Sequence, residues 1–167
     1  VWIYARHPFL QIHVNADVAY GIINYYRATG DDEFMKNYGL EMLCEIARYW
    51  ASRAEYKDGK YYYNNVTGTD EHHLFVNNDA YTNYIVRFVL KKTIGYLQKF
   101  DSKGKAWSLT SAEKAKVSDV IEKLYIPKCE NGLVPQFDGY FDLSRELSVT
   151  NGSVATSFQM KRSGLYH

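Results

Sequence analysis

The chain has 167 residues and a formal net charge of +1, with 46% hydrophobic and 23% charged residues. This composition fits one ordinary soluble globular domain. The balanced charge excludes the basic surface expected of a protein that binds nucleic acid or anionic lipid. No apolar run approaches the ~20 residues needed to cross a bilayer. Neither nucleic acid nor a membrane is therefore expected as a partner.

The two cysteines do not suggest a disulfide framework. Cys44 falls inside a helical pattern and Cys129 in a loop-like stretch, which predicts a reducing, cytoplasmic location. The first residue, Val1, is not methionine, and the closing stretch 163–167 forms no polar tail. We therefore interpret residues 1–167 as one part of a larger domain, cut at both ends.

Helical periodicity dominates the first third of the chain. Apolar residues spaced three and four apart predict a helix over about His13 to Thr29, ended by Gly30 in a left-handed cap. Two aspartates at 31–32 suit the amino end of a second helix, which is expected to run to about Arg53. The predicted faces comprise Val14, Val18, Ile22 and Tyr25 in the first helix and Leu40, Leu43, Ala47 and Trp50 in the second.

A turn and a long loop separate these helices from a third one. The Asp-Gly pair at 58–59 is a turn signal, and the tyrosine-rich stretch 60–64 predicts a short extended segment. Residues 67–78 are polar and without period, which predicts a loop. The third helix is expected to start at 78 or 79 and to end at about Phe100. Its predicted side comprises Tyr81, Ile85, Phe88 and Lys92.

The last predicted helix has a marked start. Thr110 and Glu113 have the spacing of a capping box, and the helix must end before Pro127. The stretch 133–143 predicts an extended loop, and 144–157 fits no element clearly. The sequence therefore predicts an all-α fold of paired helices, with a short extended segment before the polar loop.

The densest cluster of ionisable side chains lies in the polar loop. Two carboxylates and two imidazoles occupy consecutive positions there, namely Asp70, Glu71, His72 and His73. Functional side chains are often carried by loops on a rigid scaffold, so this cluster is the candidate site. The residue pattern alone leaves three interpretations open.

The first interpretation is a metal site with Asp70, His72 and His73 as ligands, although no partner with ligand spacing occurs elsewhere. The second is structural: a charged loop followed by a helix cap at Asn78 or Asp79 would look similar. The third is acid catalysis. A carboxyl group beside aromatic rings can stay protonated near neutral pH because burial disfavours its charged form.

A series of short motifs goes further than any single cluster. They are IHVNADVAY at 12–20, ATGD at 28–31, EIARYW at 45–50, DE at 70–71, NNDAYTN at 77–83 and QFDGYF at 136–141. In this order and spacing, over about residues 12–143, the chain resembles glycoside hydrolase family 65. That family includes maltose, trehalose and kojibiose phosphorylases.

The resemblance implies a fold and a catalytic residue. The family fold is an (α/α)6 barrel of six helical hairpins, of which residues 1–167 would form about half. The glutamate of the family motif Gly-x-Asp-Glu is the general acid, and it falls on Glu71. The family commonly has Pro where Thr69 stands and Tyr where His72 stands. Because the position of Thr69 faces the acceptor sugar in the family, this departure concerns the choice of acceptor.

The resemblance also implies contacts with substrate. The residues expected to contact sugar are Thr69, Asp70, His72, His73, His13 and Asn78. A structural alternative exists for two of them: His13 could form a polar pair with Asp17 inside the barrel, and Asn78 could order the loop. Asp138 would be a candidate base for activating water only if it faced Glu71.

The implied reaction is inverting phosphorolysis of an α-glucosyl disaccharide to β-glucose 1-phosphate and a free sugar. Glu71 would protonate the glycosidic oxygen while phosphate attacks the anomeric carbon from the opposite face. Inorganic phosphate is thus a co-substrate, and neither a cofactor nor a metal is expected. The family's phosphate-binding motif has no match in the chain, Lys161-Arg162 being the nearest piece. That site is therefore expected outside residues 1–167.

Two alternatives stay open. An inverting hydrolase of the same family, similar to acid trehalase, would need a second carboxylate roughly 6.5–9.5 Å away to activate water. A non-catalytic helical sugar-binding module would need neither a general acid nor a second carboxylate. By analogy with the family, the full-length protein is expected to form a homodimer.

Overall fold

A computed structural model of the chain describes residues 7–70, 73–100, 105–128, 132–143, 148–150 and 153–155. More than half of these residues are helical, as the sequence predicts. The helices are α1 (His7–Leu10), α2 (Val14–Thr29), α3 (Asp32–Phe34), α4 (Leu40–Arg53), α5 (Ala80–Lys99) and α6 (Ser111–Lys123), with a π-helical turn at Met35–Gly39 and a 3-10 turn at Tyr140–Asp142. The strands are β1 (Glu55–Lys57), β2 (Lys60–Tyr62), β3 (Ser148–Thr150) and β4 (Ser153–Ala155). Within these ranges, no helix combines the length and apolarity needed to cross a membrane.

The central helix is α5, which packs against α2, α4 and α6. Burial of apolar surface at these contacts is the main force that holds the helices together. Trp50 on α4 is fully buried, and its ring lies 5.0 Å from the ring of Tyr63 at a steep angle. The Tyr63 hydroxyl donates to the Trp50 carbonyl oxygen at 3.0 Å. This contact joins the helical core to the chain just before the polar loop.

The predicted helix boundaries are largely confirmed. Gly30 has a φ of 66° and caps α2 in the left-handed conformation. The Asp31 carboxylate accepts from the Phe34 amide at 2.9 Å and starts the next helical stretch, which ends at Arg53. A π-helical turn interrupts that stretch, which periodicity alone does not reveal because it adds one residue to a single turn. Cys44 lies buried in α4, whereas Cys129 lies outside the described residues.

The predicted face of the second long helix is confirmed, since Leu40, Leu43, Ala47 and Trp50 are at most 1% exposed. The predicted face of α2 is wrong except at Ile22, which is buried. Val14, Val18 and Tyr25 are 52%, 52% and 45% exposed, whereas the core side carries Ala16, Ala19, Ile22, Ile23 and Tyr26. Small alanines allow close helix approach, so here the side with smaller residues is the buried one.

The predicted side of the third helix is confirmed only in part, since Ile85 and Phe88 are partly buried against the core while Tyr81 and Lys92 are exposed. The predicted side of α5 is partly exposed, with Tyr81 at 41%, and its buried side carries Val86, Val89, Leu90, Thr93 and Leu97.

Two hairpins supplement the helices. β1 pairs with β2 in antiparallel register across a turn in which Asp58 and Gly59 have φ values of 48° and 80°. Positive φ at both central residues is the geometry of a tight hairpin turn. The sequence predicted the turn and β2 but missed β1, an exposed strand of only three residues. The β3–β4 hairpin lies in the stretch that the sequence left unassigned.

The predicted capping box of α6 is present. The Thr110 side chain accepts from the Glu113 amide at 3.2 Å, and the Glu113 carboxylate accepts from the Thr110 amide at 2.7 Å. Arg48 on α4 donates from Nε to the same carboxylate at 2.7 Å. The hydrogen bond from Arg48 and then that from Thr110 lower the pKa of Glu113 to about 2.

This low pKa predicts a dependence of stability on pH. A carboxylate with a lowered pKa in the folded state stabilises it above the unfolded-state pKa and stops doing so as the pH falls through the folded-state value. For Glu113 this window runs from 4.5 down to about 2. We expect Glu113→Gln to lower the free energy of unfolding most at neutral pH and progressively less below about pH 4.5. Urea unfolding at several pH values measures this, and a difference that does not change with pH would contradict it.

Candidate active site

The polar loop predicted over residues 67–78 is closed by a short antiparallel pair. Val66 and Val76 exchange two backbone hydrogen bonds of 2.9 and 2.8 Å, and both side chains are buried. Next to them, the Asn78 amide donates to the Tyr63 carbonyl oxygen at 2.8 Å. The loop therefore leaves and rejoins the core at one narrow stem, directly before α5.

Backbone strain is concentrated on both sides of this loop. Asn65, Phe75 and Asn78 have φ values of 53°, 57° and 54°. Asparagine tolerates the left-handed region, whereas for phenylalanine it costs roughly 1–2 kcal/mol. Such strain persists only where the surroundings fix the backbone, and it is frequent at functional sites. The loop conformation is thus imposed by its contacts.

The tip of the loop is held by a pair that flanks the predicted acid. The His73 amide donates to the Asp70 carbonyl oxygen at 3.4 Å, and His73 Nδ1 donates to Asp70 Oδ2 at 2.9 Å. His73 is 6% exposed. Glu71 and His72 are the two residues between this pair in sequence, and they lie outside the described residues. The residues immediately before and after the Glu71-His72 pair are therefore bonded to each other.

The start of the loop is fixed by the corner between α1 and α2. The Thr67 amide donates to the Leu10 carbonyl oxygen at 3.0 Å, and the Thr67 carbonyl oxygen accepts from His13 Nδ1 at 3.2 Å. Because a carbonyl oxygen can only accept, His13 must carry its proton on Nδ1. Its side chain is 6% exposed. Thr69, two residues further on, is exposed.

The alternative pairing of His13 with Asp17 is wrong. A buried imidazole needs a hydrogen-bond partner, and His13 finds it in the loop carbonyl group. Asp17 accepts instead from the Tyr81 hydroxyl at 2.6 Å. This hydrogen bond raises the pKa of Tyr81 to about 12, so the phenol stays protonated at neutral pH. The Tyr81 ring meets the His13 ring edge-on, with centroids 5.9 Å apart.

The carboxylate of Asp79, which caps α5, is buried against the loop. Asp79 is 1% exposed, and its Oδ2 accepts from both the amide and the hydroxyl of Thr82, each at 2.7 Å. The backbone of Gly68 lies against this carboxylate so closely that a methyl group at position 68 would overlap it. The glycine of the loop motif is therefore required by packing.

The amide group of Asn78 is also used within the protein. Nδ2 donates to Asp138 Oδ2 at 2.7 Å, and Oδ1 accepts from the Tyr63 amide at 3.3 Å. Asn78 is 2% exposed. Of the predicted sugar-contacting residues, the structure thus brings together His13, Asp70, His73 and Asn78 as supports of one loop.

Sequence reasoning missed two parts of this arrangement. The predicted cap at Asp79 is confirmed, but the close approach of Gly68 to its carboxylate was not foreseen. No role was given to Phe137, which is 1% exposed and whose ring centroid lies 5.0 Å from that of His73. A phenylalanine in a polar, turn-rich stretch is a signal of burial that could have identified the second contact. Among the described residues, no group of three or more His, Cys, Asp or Glu is placed to hold a metal ion.

These features define a helical domain with a polar, carboxylate-bearing loop that is closed at its stem, at the amino end of the central helix. A kojibiose phosphorylase-like protein from the human microbiome has a solved structure with the same fold. The TM-score is 0.73 and the identity 32%, over 77% of this chain and 20% of that one. The family model "Glycosyl hydrolase family 65 central catalytic domain" matches residues 2–159. The chain therefore belongs to glycosyl hydrolase family 65, whose fold is an (α/α)6 barrel.

Several characterised relatives are similar to the whole chain or most of it. The 3-O-alpha-D-glucosyl-L-rhamnose phosphorylase of Lachnoclostridium phytofermentans is 54% identical over 100% of this chain and 22% of its own length. The kojibiose phosphorylase of Caldanaerobacter subterraneus is 41% identical over 80% of the chain and 19% of its own length. The 1,2-alpha-glucosylglycerol phosphorylase of Bacillus selenitireducens is 40% identical over 80% and 18%. The chain thus spans about a fifth of the length of these relatives.

The family resemblance and the fold class predicted from the sequence are therefore confirmed.

Proposed function

We propose that the protein containing this chain is a glycoside phosphorylase that cleaves an α-glucosyl disaccharide with inorganic phosphate. The family match and the phosphorylases among the relatives support this class of reaction. The observation that carries the proposal is the Asp70–His73 pair, which fixes the chain on both sides of the family's acid position.

Glu71 is the proposed general acid. A glycosidic oxygen is a poor leaving group until it is protonated, so a carboxyl group must donate a proton as the bond breaks. Phosphate is already an anion and attacks the anomeric carbon without a base. The configuration is thereby inverted, and an α-glucoside gives β-glucose 1-phosphate.

The proposed substrate is a glucosyl group joined to a variable acceptor. The names of two relatives share the glucosyl part and differ in the acceptor, which is rhamnose in one and glycerol in the other. We place Thr69 and His72 at the acceptor side, because they depart from the common family motif. Sugar contacts of His13, Asp70, His73 and Asn78 stay predictions, and their protein partners favour a supporting role.

Inorganic phosphate is the proposed co-substrate, with neither metal nor organic cofactor. The homodimer and the cytoplasmic location remain predictions from the sequence.

A phosphate-omission experiment tests the proposed reaction. Purified whole protein is incubated with kojibiose, glucosyl-rhamnose or glucosylglycerol, with and without phosphate. We expect cleavage of at least one disaccharide or glucoside only when phosphate is present, with glucose 1-phosphate and the free acceptor as products. Cleavage at the same rate in phosphate-free buffer would identify a hydrolase instead. Saturable sugar binding without any cleavage would favour the non-catalytic module.

A further inference from the structure

Residues 136–138, here called the supporting segment, run beside residues 77–80, where the polar loop rejoins the start of α5. The Ala80 amide donates to the Gln136 carbonyl oxygen at 2.7 Å, and the Asp138 amide donates to the Asn77 carbonyl oxygen at 3.0 Å. These two backbone bonds lie on either side of Phe137. The supporting segment is thus joined to the loop stem although it lies about sixty residues further along the chain.

The same segment also contacts the tip of the loop. Between its two backbone bonds, the buried Phe137 ring packs on the His73 ring with centroids 5.0 Å apart and a tilt of 46°. Tyr140 closes the other side of Phe137, edge-on at 5.4 Å. His73 in turn bonds Asp70. A shift of the supporting segment would therefore reach Asp70 and His73, the two residues on either side of the Glu71-His72 pair.

One side-chain bond locks the supporting segment to the stem. Asp138 Oδ2 accepts from Asn78 Nδ2 at 2.7 Å, while Asn78 is 2% exposed and has a φ of 54°. A hydrogen bond to a carboxylate is roughly twice as strong as one between neutral groups. Asn78 Oδ1 accepts from the Tyr63 amide, and Nδ2 donates to Asp138. Loss of the Asp138 carboxylate would therefore remove the acceptor that Nδ2 has here.

We propose that Asp138 is a positioning residue that acts through Asn78: it locks the supporting segment to the loop stem so that Phe137 holds His73 and, through the His73–Asp70 pair, the residue that directly precedes Glu71 in the chain. This inference rests on the proposed function, since it assigns a support to the proposed acid. Proton transfer needs heavy atoms within about 2.6–3.2 Å of each other. A misplacement of 1 Å costs on the order of 10²-fold in rate, so a loosened support affects the protonation step first.

The first test compares two leaving groups in the whole protein. The variants are Asp138→Ala and, as a control, Asp142→Ala, which removes an exposed carboxylate from the same region. The substrates are the disaccharide and α-glucosyl fluoride, whose fluoride leaves without protonation by an acid. For Asp138→Ala we expect kcat on the disaccharide to fall on the order of tenfold, with a smaller change in KM and in kcat on the fluoride. Asp142→Ala should match the wild type on both.

The second test exchanges the two partners. Asn78→Asp alone sets two carboxylates against each other at the position of a 2.7 Å hydrogen bond, and we expect disaccharide cleavage to fall more than in Asp138→Ala. Adding Asp138→Asn restores a donor and an acceptor with reversed roles and leaves an oxygen for the Tyr63 amide. The double variant should therefore regain most of the lost rate. Failure to regain it would overturn the inference independently of the fluoride measurement.

The outcomes separate this inference from the proposed function. If Asp138→Ala loses disaccharide and fluoride turnover equally, its effect is general structural damage, and the inference is overturned while the function stands. If the wild type cleaves no glucoside with phosphate, the proposed function fails and the inference fails with it. If Asn78→Asp does not fold, the Asp138→Ala comparison decides, because that substitution lies at an exposed position.

Discussion

Replacing Glu71 by glutamine is expected to lower kcat for phosphorolysis by about 10²-fold or more, the scale of general acid catalysis. Glutamine keeps the size of the side chain but has no proton to give to the glycosidic oxygen. The loss should appear mainly in kcat, because binding of the sugar does not need the proton. Steady-state kinetics of the whole protein in saturating phosphate measure both parameters.

A pH profile adds a readout specific to proton donation. In the wild type, kcat should fall as the pH rises and the acid loses its proton, whereas the Glu71→Gln variant should lack this decline. Glu122→Gln, at an exposed position of α6, is the matched control and should behave as the wild type. A Glu71→Gln enzyme with wild-type kcat would exclude the acid role of Glu71.

Replacing Gly68 by alanine is expected to have the second largest effect. The added methyl group would overlap the Asp79 carboxylate, which cannot turn away without releasing the Thr82 amide and hydroxyl. The loop must therefore move, or α5 must lose its cap at a cost of about 0.5–2 kcal/mol. If the loop moves by 1 Å, the rate should fall on the order of 10²-fold. Kinetics and thermal unfolding together distinguish these two responses.

The matched control is Gly95, which lies on α5, the helix that Asp79 caps. A methyl group at Gly95 would meet no atom within 4 Å, and alanine is favoured over glycine in a helix by about 1 kcal/mol. Gly95→Ala should thus leave kcat unchanged and raise the unfolding temperature. Wild-type kcat and stability in Gly68→Ala would show that the close approach of the loop to Asp79 has no functional weight.

Local chemistry made much of the fold predictable. The capping box at Thr110, the left-handed cap at Gly30 and the buried face around Trp50 follow from rules that act over a few residues. The face of α2 did not, because packing against α5 selects small residues such as Ala16 and Ala19 over the larger Val14 and Val18. That choice depends on the partner helix, which periodicity does not contain.

The candidate site shows the same division. The position of the loop and its glycine could be read from the sequence, and the family motif marked Glu71. The contacts that hold the loop join residues far apart in the chain, as in the hydrogen bonds from His13 to Thr67 and from Asn78 to Asp138. Such partners are chosen by the tertiary fold, so residues expected to contact sugar were found supporting the loop.

The anomeric configuration of the first product tests the central claim most directly. Whole protein, phosphate and an α-glucosyl substrate are followed by proton NMR from the first turnovers. Protonation of the leaving oxygen on one side and phosphate attack on the other predict β-glucose 1-phosphate as the first phosphate ester. The α-anomer of glucose 1-phosphate, or free glucose in place of the phosphate ester, would contradict inverting phosphorolysis at this site.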